Sequence, residues 1–258
     1  MNLKAFLRQC ITLVISVIPP GAYSASEQQM GVNLSYDDSL ASQLEYALPA
    51  LQKHKITASF YLVPTYPGHI PHIEEWRRVA QLGHELGNHS LTHPCRSSKP
   101  DREWVSADND LDLISARQMA EQVIATNQAL FALDGRQRRS FTPPCLDILA
   151  GGKNYLPLIQ NAVSYVKGVG LPEGAETIWA PSDVSGEEMI KFIENQPHHV
   201  KIVTLIFHGV GANYLSVSTR AHETLVAYLA DHRHKYYIDS YQNVRDWYQR
   251  TYGSFESN

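Results

Sequence analysis

Short β-rich runs alternate with amphipathic helical stretches along almost the whole 258-residue chain. This alternation constrains the fold more than any single motif. Strands joined through helices can pair in parallel, and a parallel sheet needs helices over its apolar face. In residues 29–36, Met30, Val32, Leu34 and Tyr36 alternate as a strand that ends at Asp37-Asp38. Ser39 can cap a helix whose Leu40, Leu44, Ala47, Leu48 and Leu51 recur at helical spacing to about His54. Residues 57–63 read as a second strand, and Ile73, Trp76, Val79, Ala80 and Leu82 as a helix stopped by Gly83. Further strands are expected at 85–88, 139–143, 162–169, 202–207 and 236–239. Helices are expected at 108–133, 155–160, 187–195, 220–232 and 244–252. Seven or eight such units predict a distorted (β/α) barrel, in which chemistry gathers at the C-terminal ends of the strands. Asp37-Asp38, His89, Cys145 and His208 all fall at predicted strand ends.

Composition narrows the class. Apolar residues make up 43% and charged residues 19%, as in globular domains. A formal charge of −4 without a long basic run argues against a nucleic-acid partner. Lys4 and Arg8, the apolar run 10–18, the Pro19-Pro20-Gly21 break and Ala22-Tyr23-Ser24 predict a secretory signal at 1–25. One domain, 26–258, follows it. No later stretch is long and apolar enough to span a membrane, so the mature protein is expected to be exported, periplasmic or secreted. Cys10 leaves with the signal. Cys95 and Cys145 remain, as two unrelated thiols or as one disulfide, which an oxidising compartment favours.

The segment GHELGNHSLTHPC, from Gly83 to Cys95, places His89 and His93 four residues apart. On a helical turn the Cβ atoms of such a pair lie roughly 6 Å apart, close enough to grip one metal ion. On an extended strand they would lie about 13 Å apart. Metal binding therefore requires the chain to leave a strand near Asn88 and curl through His89–His93. The Asp37-Asp38 pair can be a polar turn at a helix start, or one metal ligand beside one free base. His208 can be a strand cap or an acid, and Gly209 and Gly211 beside it leave room for a ligand.

Three motifs in this order, SYDDS at Asp37-Asp38, HSLTH at His89–His93 and LIFH ending at His208, resemble the polysaccharide deacetylases. These are the NodB-homology enzymes of carbohydrate esterase family four. The resemblance runs from about Met30 to about Val210. It implies that Asp38, His89 and His93 hold one divalent metal, zinc by preference, with other first-row metals open to the same ligands. It implies Asp37 as the base and His208 as the acid. The substrate would be an N- or O-acetylated glycan such as chitin, peptidoglycan or acetylated xylan, hydrolysed at an amide or ester bond to release acetate. Two family motifs depart. Phe141-Thr142-Pro143-Pro144-Cys145 has Thr142 where the family carries an arginine that orients the base, and Cys145 where it carries a tyrosine. Arg138 or Arg139 is then the expected substitute. Asp183, near Trp179, is the expected acid supporting His208. Thr142, Pro143, Pro144 and Cys145 would form the substrate loop, with a backbone N–H near Cys145 facing the oxyanion. Tyr66, Trp104 and Tyr214 would stack on sugar. Two alternatives remain: a catalytically impaired glycan-binding module of the same fold, and a hydrolase of a non-sugar amide.

Overall fold

The computed structural model describes residues 29–253; the expected signal sequence lies outside them. The elements follow in the order β1 (Met30–Asp37), α1 (Leu48–His54), β2 (Ser59–Leu62), α2 (Ile73–Gln81), β3 (Glu85–Asn88) and α3 (Ala116–Asp134). Next come β4 (Ser140–Phe141), the hairpin β5 (Leu149–Ala150) and β6 (Lys153–Asn154), α4 (Leu156–Ile159), β7 (Tyr165–Val166), β8 (Glu176–Trp179) and α5 (Gly186–Glu194). The chain closes with β9 (Ile202–Phe207), α6 (Thr219–Asp231), β10 (Tyr236–Ile238) and α7 (Tyr241–Tyr252).

The main sheet runs β7-β4-β3-β2-β1-β9-β8, and its strand pairs are parallel. This is the (β/α) barrel the alternation predicts. β9 lies along one edge of β1 from Gly31 to Tyr36. The other edge is shared: β10 takes Met30–Val32 and β2 takes Ser35–Asp37. Among the described residues β7 and β8 do not pair, and side chains close that seam. The Gly168 N–H donates to Glu176 at 3.3 Å. Arg245 of α7 donates to the carbonyls of Val166 (3.4 Å) and Val169 (3.0 Å).

Period-two alternation splits each strand between two environments. Val32, Leu34, Tyr36, Phe60, Leu62, Val203, Leu205 and Phe207 join Trp76, Val79 and Leu225 in one buried apolar cluster. Tyr36 stacks on Phe60 and on Phe207, with ring centroids 4.8 and 5.4 Å apart. The intervening residues carry polar groups that bond across strands. Asn33 reaches Ser59, Ser59 and Ser140 both donate to Glu85, and Thr204 donates to Glu176. Barrel interiors are commonly filled by Val, Ile and Leu. This one instead holds a bonded polar chain, tolerable because most of its buried groups find partners, Asn33 Oδ1 being an exception.

Most elements fall within a few residues of expectation, and β3 and β9 match it. Three differ. The long helix expected from 108 begins only at Ala116, where Ser115 and Gln118 form a capping box. Upstream, Asp110 accepts from the backbone and hydroxyl of Ser97 and pairs with Cys95 as an isolated bridge, so that only a single 3-10 turn, Ala107–Asn109, forms before the loop that leads to α3. The first helix opens as a π turn, Gln43–Ala47, before α1. β8 and the β5–β6 hairpin were not foreseen; β8 is a four-residue run of mixed polarity whose identity comes from pairing with β9.

Candidate metal centre and active site

Register gathers the site. Tyr36 pairs with Phe207, so Asp37 and His208 leave neighbouring strands at one level. Asn88 pairs with Phe141, which sets His89 beside Thr142, and Phe141 pairs with Val166, which sets Thr142 beside Lys167. All of these residues follow the C-terminal ends of parallel strands and share one rim.

Past β3 the chain does turn sharply, though not as a helix. Ser90 and His93 take left-handed backbones, at φ 64° and 57°. Such conformations cost non-glycine residues roughly 1–2 kcal/mol each and need support. Asn88 Oδ1 accepts from the Ser90 N–H at 2.8 Å, and Ser90 Oγ accepts from the His93 N–H at 3.0 Å. Asn109 donates to the carbonyls of Thr92 and His93. The imidazoles thus meet with centroids 4.7 Å apart. On the facing side Asp38 and Ser39 are also left-handed, at φ 78° and 55°. Gln43 donates to the carbonyls of Asp37 and His208, tying the ends of β1 and β9 together.

Asp38 Oδ1 stands 3.3 Å from the Nε2 atoms of both His89 and His93. It is buried and has no hydrogen-bond partner. His89 Nδ1 lies 2.8 Å from the Thr142 carbonyl, which accepts only, so Nδ1 carries a proton and Nε2 is the nitrogen turned inward. Burial, seconded by the neighbouring His89, lowers His93 to about 4 and keeps it neutral. Burial pushes Asp38 up, but its polar contact with His89 and the favourable fields of the imidazoles around it, His89 first, outweigh this and hold it well below the carboxylate range. Burial likewise lowers His89, but Asp37 and Asp38 outweigh that and raise it overall. Two imidazole Nε2 atoms and a carboxylate oxygen, all aimed at one point, fit a divalent cation. Tyr214 donates to the other oxygen, Asp38 Oδ2, at 2.8 Å.

Asp37 Oδ2 lies 3.9 Å from His89 Nε2, and His208 Nε2 lies 3.8 Å from Asp38 Oδ2. His208 Nδ1 is buried without a partner, and Asp183 is solvent-exposed; the structure does not bring these two together. Nor does either arginine reach Asp37. Arg138 pairs with Asp246, and Arg139 with Asp134 and the Leu86 carbonyl. Lys167 does reach it, at 3.2 and 3.4 Å from the two carboxylate oxygens. The sequence signal for Lys167 was a lone cation inside the predicted strand 162–169.

Cys95 and Cys145 form a disulfide, Cα–Cα 5.8 Å. It ties the loop after His93 to the turn after Pro144, where Cys145 and Leu146 are left-handed. A cavity of about 820 Å³ opens over the cluster, lined by Thr142, Pro143, Cys145 and the aromatics Tyr66, Trp104 and Tyr214 among others. Pro144 itself is buried.

The parallel sheet and its surrounding helices make this a NodB-type barrel. The family model described as polysaccharide deacetylase matches residues 25–155, and the chain belongs to that family. A peptidoglycan-N-acetylglucosamine deacetylase of Bacillus cereus is 28% identical over 131 residues, covering 50% of this chain and 41% of that protein. The alignments with the first curated relatives span 26% to 41% of those proteins' lengths. The solved peptidoglycan deacetylase PdaC of Bacillus subtilis superposes with a TM-score of 0.55 at 19% identity, covering 88% of this chain and 95% of that one. A carbohydrate esterase family 4 pseudoenzyme from Bacillus anthracis gives 0.53 at 17%, covering 84% and 65%. At these identities the structural likeness speaks to the fold.

Proposed function

We propose that this protein is an exported, metal-dependent deacetylase that hydrolyses N- or O-acetyl groups on a carbohydrate polymer or oligosaccharide. The observation that carries the reading is the unpaired, buried Asp38 Oδ1 facing two imidazole nitrogens at 3.3 Å, with a second carboxylate and a third histidine beside it. Asp38, His89 and His93 would hold one divalent ion, zinc by preference. When bound, that ion lowers the pKa of a water and polarises the acetyl carbonyl. Asp37 accepts the proton of the attacking water. A backbone N–H beside Cys145 meets the oxyanion, and His208 donates a proton to the departing nitrogen or oxygen. Trp104, Tyr66 and Tyr214 offer apolar ring faces to sugar. The B. cereus relative supports an N-acetylglucosamine polymer such as peptidoglycan as substrate.

The test is acetate release from a panel of N- and O-acetylated oligosaccharides, with and without chelator, alongside zinc calorimetry. Turnover is expected, abolished by chelator and restored by metal. Asp38→Ala should weaken zinc binding by at least about 100-fold. Unchanged turnover in that variant, or no metal uptake by wild type, refutes the reading. Metal uptake and glycan binding without acetate release identify a binding module instead.

A further inference from the structure

Lys167 is a lysine with no solvent exposure, inside a barrel. Removing an ammonium from water costs several kcal/mol unless its protons are matched. Here the match is specific. Nζ donates to Ser35 Oγ at 2.5 Å and to Asp37 Oδ1 at 3.2 Å and Oδ2 at 3.4 Å. It also lies 4.0 Å from the centre of the Tyr61 ring, on a π face. Ser35 passes the contact on, donating to the same Asp37 Oδ1 at 2.9 Å. One oxygen of Asp37 thus receives two donors from the barrel interior. The other, which Nζ meets more distantly at 3.4 Å, turns toward His89 and the cavity.

We propose that Lys167 is the positioning residue for Asp37: with Ser35 it clamps Oδ1, so that Oδ2 alone is presented to the site. The proposal rests on the deacetylase reading for its kinetic consequence. The cation arrives from β7, on the far side of β4 from β3. The Lys167 N–H donates to the Phe141 carbonyl at 2.9 Å, continuing the β4–β7 ladder, and Gly168 then turns away at φ 74°. Ladder and turn fix where the side chain starts, and Tyr61 walls its path. Tyr61 is itself held by Ser140 at 2.7 Å. Apart from Lys167, one residue past β7, the clamp is built on strand residues. A carboxylate free to rotate by 1 Å would lose on the order of 100-fold in rate.

Lys167→Met and Lys167→Arg test this in the full-length mature protein. For Lys167→Met the expected result is an unchanged zinc stoichiometry, kcat lowered about 100-fold and KM within about threefold. The arginine variant keeps the charge and should retain kcat to within about tenfold. A crystal structure of the methionine variant should show Asp37 rotated away from Ser35. If that variant does not fold, Lys167→Gln is read the same way. A folded variant with kcat within threefold of wild type overturns the proposal. So does a loss of kcat matched by an equal loss of bound zinc, which marks a merely structural role. Should wild type release no acetate from any glycan, the deacetylase reading fails separately. The crystal structure then decides alone: an Asp37 carboxylate within about 0.5 Å of its wild-type place overturns the clamp, and a displaced one sustains it.

Discussion

Replacing both bridged cysteines should destabilise the protein by an amount that chain statistics set. Cys95 and Cys145 are separated by 50 residues. Cross-linking a loop of that length removes about 14 cal/mol/K of unfolded-state entropy, or about 4 kcal/mol at 25 °C. For a domain of this size each kcal/mol moves the melting midpoint by roughly 2–4 °C, so Cys95→Ala/Cys145→Ala should melt about 8–16 °C lower. Alanine is the right replacement because Cys95 is fully buried and a serine there would add an unpaired hydroxyl. The bridge also stands next to the metal cluster: Cys95 Sγ is 3.7 Å from His93 Nδ1. Loss of that brace should weaken zinc binding by about tenfold. Calorimetric melting without reductant compares the variant with wild type, and wild type with reductant gives an independent reading of the same change. A midpoint within about 2 °C of wild type in both comparisons would refute the loop-entropy argument. A lowered midpoint with unchanged zinc affinity would refute only the link to His93.

Two further outcomes can be measured on the purified protein. Burial lowers His222 from 6.5 to about 4, where its ring meets the Tyr36 hydroxyl at 2.6 Å. The unfolded chain therefore binds this proton first, so stability is present above about pH 6.5, falls from there toward pH 4, and levels off below, by about 3 kcal/mol at most. Urea midpoints at several pH values should show this slope, and His222→Gln should flatten it; an equally steep slope in the variant excludes His222. At Gly87 an added Cβ would sit 2.4 Å from the Tyr61 ring that walls Lys167. Gly87→Ala should cost about 1–3 kcal/mol and lower kcat while zinc stoichiometry holds; a neutral substitution would mean that Tyr61 can move.

What was legible in the sequence is what short-range chemistry decides. The strands ending at Asp37 and Phe207 are read from alternation and an apolar run. Asn88, Ser90 and His93 lie close enough in the chain to bond one another, so the histidine clamp is a local motif that recognition of HSLTH can find. Placement of the candidate groups at one face followed from parallel strands alone. The partner of Asp37 did not follow. Arg138 and Arg139 sit nearer the altered third motif in sequence, yet at the start of β4 they turn to Asp246 and Asp134. Lys167, 130 residues from Asp37, reaches it because β7 pairs with β4 in the register that brings Val166 level with Phe141. Asp183 illustrates the same limit, since its nearness to Trp179 in sequence does not carry it to His208. Alternation in a strand says which side chains share a face. Strand order and register say which of them meet, and those are settled only when the whole barrel closes.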